Sequence, residues 1–328
     1  MFHIARCLVT ALLLPYTYNA EISTASTGGV LFYNTENLFD TFDTPGKKDE
    51  DFTPSGAYRY SPYKYRKRIA SVAQALRIAS AHCLQDGAQA VWAIALCEVE
   101  NRAVLEDLAR HPALQIPGHR WSIHHVESLD ARGIDCGLLI NTAAVEVHQQ
   151  LHYRYAHDGL KTRDALSALI TPNHSEDSLW VTTVHLPSKR GGNDYSVPKR
   201  MHAINRLCQD FFTGSTPHLL LGDFNTSVKS TEIAHLLKHS NFTPLPSAVT
   251  HVRYGRGSYK YQGKWSTIDL AFGAGLTGEM YICNPKALVT QDTKWNGWKP
   301  HRAWLGPRWN GGYSDHLPIY VILNNLEN

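Results

Sequence analysis

Polar residues able to do acid–base or metal chemistry stand at or beside the ends of several apolar segments. These residues are Asn34 and Glu36, Glu98 and Glu100, His185, Asp223 and Asn225, Asp269, and Asp315 with His316. Oxygen ligands without cysteine suit a hard cation such as Mg²⁺ better than Zn²⁺. Histidines next to such acids can move protons or stabilise charge. A single acid at a strand end is typical of a solvated turn, so the indication comes from the whole set.

Short apolar runs and helical periodicity predict the elements that must position these side chains. Strands are predicted at residues 30–33, 90–96, 121–126, 137–140, 145–153, 166–170, 180–184, 218–221, 268–272 and 317–323. Helices are predicted from residue 62 past residue 79, around residues 104–108, and at residues 199–212 and 232–237. Several predicted strands therefore deliver polar side chains at their ends.

Strand and helix patterns mix without strict alternation, which favours a layered α+β fold with two sheets over a regular βαβ barrel. No segment rich in Pro, Gly or Ser divides the chain. We therefore expect one domain, spanning residues 28–325.

The composition limits the functional classes. The chain has 328 residues, of which 43% are hydrophobic and 19% charged, so it can bury a sizeable core and is not disordered throughout. The formal net charge is only +3. A charge this small excludes blanket neutralisation of phosphates in the manner of a histone. Any affinity for phosphate must therefore come from a local site.

The first residues predict export. Arg6 precedes an apolar run from Cys7 to Leu14, which is too short to span a bilayer. A signal peptide over residues 1–20, cleaved near Ala20, fits this pattern and implies a secreted or periplasmic protein. No later segment has the length of a transmembrane helix, so no stable membrane insertion is expected. The other five cysteines form no CxxC pair, which argues against a disulfide scaffold, although one bridge among them stays open.

Six motifs, taken together and in order, resemble those of the endonuclease/exonuclease/phosphatase superfamily. They are NTENLFD at 34–40, LCEVEN at 96–101, VHLPSKRGG at 184–192, LLGDFN at 220–225, STIDLAF at 266–272 and GGYSDHLPIY at 311–320. The resemblance runs across nearly the whole chain after the signal segment, and the long first motif and HLPSKRGG are similar to one bacterial branch. It implies the deoxyribonuclease-I-like fold, a four-layered α/β/β/α sandwich of two mixed sheets with flanking helices.

The resemblance also implies a metal-dependent phosphodiesterase and the residues that bind its ion. Glu98 is the expected principal ligand of Mg²⁺, with Mn²⁺ as an alternative. Asn34 is expected beside it as a ligand or an orienting group, and Asp315 as a further carboxylate on the metal side.

The remaining motif residues receive catalytic roles from the same resemblance. Asp223 and Asn225 are expected to hold the attacking water and a phosphate oxygen. His316 is expected to act as general base or phosphate stabiliser, with Asp269 fixing its tautomer. His185 is expected across the phosphate, where it could protonate the leaving oxygen.

Cations near these motifs are candidates for substrate binding. Arg163 resembles the phosphate-contacting arginine of the family, and Lys189 and Arg190 follow His185 closely enough to reach a second phosphate. For Lys189 and Arg190 a solvated basic turn is an equal alternative. Arg132 and Asp135 are predicted to form a structural salt bridge near the site.

Nucleic acid is the expected substrate, cut by an endonuclease acting as a monomer. Lipid or inositol phosphates are the alternative within the same chemistry, and a catalytically silent binding module is the alternative from another class. Four tryptophans between residues 295 and 309 could stack bases or pack a long loop, and the sequence leaves this choice open.

Overall fold

The structure is a computed structural model that describes residues 27–156, 160–210, 215–247 and 254–326. Its helices are α1 (Pro62–Gln85), α2 (Arg102–Arg110), α3 (Asn193–Asp210) and α4 (Thr231–Lys238). Its strands are β1 (Gly28–Leu38), β2 (Ala90–Val99), β3 (Trp121–His125), β4 (Asp135–Asn141), β5 (Val145–Tyr153), β6 (Ala165–Pro172), β7 (Leu179–His185), β8 (His218–Asp223), β9 (Thr243–Pro244), β10 (Tyr259–Tyr261), β11 (Lys264–Ser266), β12 (Asp269–Ala274), β13 (Leu276–Ile282), β14 (Val289–Gln291), β15 (Trp298–Pro300), β16 (Trp304–Leu305), β17 (Arg308–Trp309) and β18 (Ile319–Leu326). The predicted signal peptide lies outside the described residues.

Two mixed six-stranded sheets form the centre of the fold. The first has the order β13-β18-β1-β2-β4-β3, and the second has the order β5-β6-β7-β8-β12-β9. Within them, β1 is parallel to β2 and β7 is parallel to β8. The predicted α+β fold with two mixed sheets and flanking helices is confirmed.

Alternation of side chains along the strands explains the layers. In β1, Val30 and Phe32 pack in the core between the two sheets, whereas Leu31 and Tyr33 pack on the opposite face beneath α1 and α2. The second sheet buries its outer face against α3 and α4 in a separate core. The layers are therefore helix, sheet, sheet and helix, with the central strands of each sheet buried on both faces.

The helices begin where the sequence places capping residues. The Ser61 hydroxyl accepts a hydrogen bond from the Lys64 amide and Pro62 occupies the first helical position, as in a capped N-terminus. The Asn101 side chain caps α2 by accepting from the Val104 amide at 3.0 Å. The helix α3 begins earlier than predicted, at Asn193, because the fold accommodates Pro198 inside the helix instead of using it as a boundary.

Several elements of the C-terminal third were not predicted, among them β9 and the antiparallel pair of β10 and β11. Strand β13 pairs with β18 at the edge of the first sheet, and its residues alternate between buried and exposed. The segment carrying the four tryptophans forms the small antiparallel pairs β14–β15 and β16–β17. Trp304 packs among Phe52, Tyr58 and Tyr60, whereas Trp295 is 47% exposed. The packing role is therefore confirmed for Trp304, whereas stacking of bases stays a prediction.

Candidate active site

The ends of two parallel strand pairs, one in each sheet, bring the predicted residues together. Asn34 lies near the end of β1, Glu98 near the end of β2, His185 at the end of β7 and Asp223 at the end of β8. Because the carboxyl ends of neighbouring parallel strands meet at one edge, these side chains converge. Asp269, the first residue of β12, lies directly opposite Asp223 in the antiparallel register.

A cavity of about 940 Å³ opens at this edge. Ten of the eleven predicted site residues line it: Asn34, Glu98, Arg163, His185, Lys189, Arg190, Asp223, Asn225, Asp315 and His316. Asp269 lies behind His316 and contacts it. Asn34 and His316, which are 282 positions apart in the sequence, therefore meet in one place.

Asp223 and Asn34 are joined at the buried bottom of the cavity. The Asn34 amide donates to Asp223 Oδ2 at 3.0 Å, and its Oδ1 accepts from the Glu36 backbone amide at 3.0 Å. The Asn225 backbone amide donates to Asp223 Oδ1 at 2.8 Å. Burial raises the pKa of Asp223 to about 7. A carboxylate of this pKa can accept a proton near neutral pH.

Asp269 and His316 form the predicted dyad. His316 Nδ1 lies 2.9 Å from Asp269 Oδ2, and its Nε2 lies 3.8 Å from Asp223 Oδ2. Burial lowers the pKa of His316, but the charge and hydrogen bond of Asp269, together with the carboxylates of Asp223 and Asp315, outweigh burial and raise this pKa well above the usual value. The imidazole is therefore cationic at neutral pH, which favours stabilisation of a phosphate over action as a base.

His185 occupies the opposite electrostatic environment. Its Nε2 lies 3.8 Å from Glu98 Oε1 and 3.7 Å from Asp223 Oδ2, and its buried Nδ1 makes no hydrogen bond. Burial, followed by the positive charge of Arg163, lowers the pKa of His185 well below its usual value. A neutral imidazole donates a hydrogen bond but gives up a proton poorly. This state does not suit the predicted protonation of the leaving oxygen.

Glu98 is held by the backbone at an irregularity of β2. Its Oε2 accepts from the Asn37 amide at 2.9 Å, and its φ angle of 60° is unusual for a residue with a side chain. The pairing of β2 with β4 shifts register between Cys97 and Val99. This bulge turns the carboxylate towards the cavity, as bulges beside functional sites commonly do.

The oxygen donors at the cavity bottom suit a divalent cation. Glu98, Asn34 and Asp223 offer carboxylate and carboxamide oxygens, and Asp223, Asp269 and His316 place one ligand atom each within 4.8 Å of one another. Hard oxygen donors of this kind fit Mg²⁺ or Mn²⁺.

Arg302 was missed by the sequence reasoning and links two acids at the cavity wall. Its Nε lies 3.1 Å from Glu36 Oε1, and its Nη2 lies 3.0 Å from Asp315 Oδ2. The other Glu36 oxygen accepts from the Ala303 amide at 2.6 Å. Arg302 thus orients Asp315. Its contact with Glu36, which is distant in sequence, is visible only in the folded chain.

Glu100 lies outside the cavity and fixes the loop after β1. Its carboxylate accepts from the Asp40 amide at 2.6 Å and from the Thr44 hydroxyl at 3.1 Å. Glu36 and Glu100, which lie two residues after Asn34 and Glu98, therefore have different roles. Glu36 borders the cavity, whereas Glu100 supports a loop.

The predicted salt bridge between Arg132 and Asp135 is wrong. Arg132 donates to Asn37 Oδ1 at 3.4 Å and lines the cavity, whereas Asp135 faces His125 at 3.2 Å. The intervening loop turns the two side chains to different surroundings.

Arg163 is also more constrained than expected, because it contacts Asp130 at 3.4 Å and the Leu186 carbonyl at 3.1 Å while lining the cavity.

A glycine explains the close packing below Asp223. A Cβ atom at Gly222 would lie 2.1 Å from the Val184 carbonyl oxygen. Any larger residue would push β8 away from β7 and separate Asp223 from His185. The glycine of the GDFN sequence is therefore required by the site geometry.

A sequence profile of the Endonuclease/Exonuclease/phosphatase family matches residues 29–325. The chain belongs to this family. Family membership makes it a phosphoester hydrolase by class, and the acid cluster agrees with the divalent-metal dependence that is general in the family. Among curated proteins, no sequence match is found.

Solved structures share the fold at low sequence identity. A family member from Bacteroides thetaiotaomicron is 12% identical with a TM-score of 0.56, covering 91% of this chain and 98% of its own. D. rerio TDP2 complexed with a single-strand DNA product is 14% identical with a TM-score of 0.54, covering 92% and 100%. The mannosyl-6-phosphatase Bt3783 of Bacteroides thetaiotaomicron is 12% identical with a TM-score of 0.54, covering 90% and 99%. These likenesses concern the fold.

Proposed function

We propose that the chain is a divalent-metal-dependent phosphodiesterase that cuts nucleic acid as an endonuclease. The observation that carries this proposal is an exposed group of cations beside a buried acidic centre. Lys189, Arg190 and Lys264 are exposed and line the same cavity as Glu98 and Asp223; we call these three cations the basic rim. A polymer with successive phosphates can contact the rim and the centre together.

Aromatic side chains extend the cavity and support a polymeric substrate. A second cavity of about 540 Å³ shares Tyr259, Tyr261, Arg302 and Asp315 with the first. Tyr261 is 62% exposed, and exposed aromatic rings offer surfaces on which bases stack. D. rerio TDP2, which shares the fold, was solved with a single-strand DNA product.

The proposed reaction is hydrolysis by an activated water. Asp223 takes a proton from the attacking water, which forms the new P–O bond as the ester P–O bond breaks. His316, held by Asp269, stabilises the negative phosphate oxygens. Solvent water protonates the leaving oxygen, and the hydroxide that this produces takes the proton from Asp223. A cation held by Glu98 with Asn34, and with Asp315 nearby, would supply charge neutralisation at the phosphate.

We also propose export, with removal of residues 1–20, and action of the mature chain as a monomer in the periplasm or outside the cell. The pattern of Arg6 followed by an apolar run supports export and cleavage. Among the described residues, no helix has the length and hydrophobicity needed to cross a bilayer. The intact mass of the protein from its native host tests the cleavage, and retention of the full N-terminus would contradict it.

A substrate panel tests the proposed function. The purified mature chain is incubated with Mg²⁺ and single- and double-stranded DNA, RNA, inositol phosphates, sphingomyelin and a sugar phosphate. Cleavage of internal bonds in a circular nucleic acid is the expected result. Rapid hydrolysis of a lipid or small phosphate, with no nucleic acid cut under the same conditions, would overturn the assignment.

A further inference from the structure

Three ligand-type side chains cluster at the junction of β3 and β4, outside the catalytic cavity lining. His125, Glu127 and Asp135 each place one nitrogen or oxygen atom within 4.8 Å of the others. His125 ends β3, Asp135 begins β4, and Glu127 lies in the loop that joins them. This local origin makes the cluster independent of the long-range assembly that builds the catalytic centre.

Two of these side chains are buried without the hydrogen bonds that burial normally requires. The side chains of His125 and Asp135 are only 4% and 1% exposed. Their atoms Nε2 and Oδ2 face each other at 3.2 Å, yet neither makes a hydrogen bond. The distance is short enough for a hydrogen bond, so the two groups are close but not aligned for one. Apart from this ion pair neither buried atom has a hydrogen-bond partner, and a metal ion between them would satisfy both.

The separation of the two atoms fits a shared metal ion. Ligand atoms about 2.0 to 2.1 Å from a tetrahedral Zn²⁺ lie about 3.3 to 3.4 Å apart. The observed 3.2 Å between His125 Nε2 and Asp135 Oδ2 is close to this value. An imidazole nitrogen with carboxylate oxygens also suits a transition metal better than Mg²⁺ or Ca²⁺.

The charges around the cluster agree with a bound cation. The Lys47 ammonium is engaged by the carbonyl oxygens of Ser128 and Asp130, at 3.0 and 3.2 Å. Two carboxylates with one buried imidazole would neutralise a divalent ion at this position.

We propose that His125, Glu127 and Asp135 form a structural site for a divalent transition-metal ion of the Zn²⁺ type, with water as a fourth ligand. The site would fasten the loop between β3 and β4. The other Asp135 oxygen accepts from the Ser128 amide at 3.0 Å, which supports this ligand from behind. The same loop carries Arg132 to the wall of the catalytic cavity.

Binding of Co²⁺ tests this site, because tetrahedral Co²⁺ absorbs visible light and reports its ligands. The full mature chain is stripped with chelator and titrated with Co²⁺ in excess Mg²⁺, which occupies the catalytic centre. The wild type should gain one absorbing ion that Zn²⁺ displaces. Glu127→Gln, a change at an exposed position, should weaken this binding at least about tenfold, since even outer-shell changes cost that much.

Matched variants separate this site from other sources of metal binding. Glu146→Gln alters an exposed glutamate that faces His148 at 3.8 Å and should bind Co²⁺ as the wild type does. Asp269→Asn should also keep the absorbing ion, because it changes only the catalytic cluster. Zn²⁺ should raise the melting temperature of the wild type more than that of Glu127→Gln. Equal Co²⁺ affinity in the wild type, Glu127→Gln and His125→Gln, or no absorbing ion in the wild type, would overturn the proposal.

Discussion

The bottom of the catalytic cavity and its basic rim are built in opposite ways. At the bottom, Asp223 and His316 are 1% and 5% exposed and each has fixed partners on neighbouring strands or loops. At the rim, Lys189 and Arg190 are exposed on the loop between β7 and α3. Burial strengthens electrostatic interactions at the bottom, whereas water screens the rim. We therefore expect the bottom to determine turnover and the rim to determine affinity.

Removal of the Glu98 charge should have the largest effect. Glu98→Gln keeps the shape of the side chain but loses the charge that holds a cation, and metal catalysis contributes several kcal/mol. We expect kcat to fall at least about 10³-fold in excess Mg²⁺. The measurement is steady-state cleavage of the substrate found in the panel, with the exposed Glu176→Gln as a control that should stay at the wild-type rate. Full activity of the wild type in excess chelator would contradict the metal requirement.

Loss of the Asp269 charge should have the second-largest effect, and this effect should be on kcat. Asp269→Asn removes the carboxylate that orients His316 and keeps it cationic. We expect kcat to fall by about 10²-fold or more, with a much smaller change in KM. A wild-type kcat in Asp269→Asn together with an inactive His316→Ala would show that the dyad is not used.

Arg302 tests whether the cavity wall belongs to the bottom or to the rim. Arg302→Ala leaves Glu36 buried without its cation, because Glu36 is only 4% exposed. We expect the free energy of unfolding to fall by about 1 to 3 kcal/mol, measured by urea denaturation. Arg308→Ala, at an exposed position of β17, is the matched control. An unchanged unfolding free energy would place Arg302 with the solvent-screened rim.

The rim should give the smallest effect and a different signature. Replacing Lys189 and Arg190 together by alanine should raise KM less than about tenfold at moderate salt, because exposed charge pairs are weak. The dependence of affinity on salt should flatten by about one unit of slope per removed phosphate contact. Lys238→Ala, on the exposed face of α4, should leave the slope unchanged. A fall in kcat with an unaltered salt slope would place these residues in the catalytic step.

Local patterns predicted most of the elements and most of the site. Apolar runs located the central strands, and polar residues at or beside their ends marked eight of the side chains that line the cavity: Asn34, Glu36, Glu98, His185, Asp223, Asn225, Asp315 and His316. The alternating burial of β13 is a pattern of the same local kind. Strands of two or three residues, such as β16 and β17, carry too little periodicity to be read from sequence.

The sequence by itself determined which chemical groups this protein carries and at which strand ends they stand, because hydrophobic periodicity is local. Only the tertiary structure decided which groups meet. Arg302 reaches Glu36 across 266 residues, Arg132 turns away from Asp135, and His125 faces Asp135 without a hydrogen bond. The charge of a histidine also depends on which groups lie beside it. Burial beside Arg163 keeps His185 neutral, whereas the carboxylate of Asp269 keeps His316 cationic. Two histidines that look alike in sequence acquire different chemistry because desolvation and neighbouring charges are properties of the folded chain.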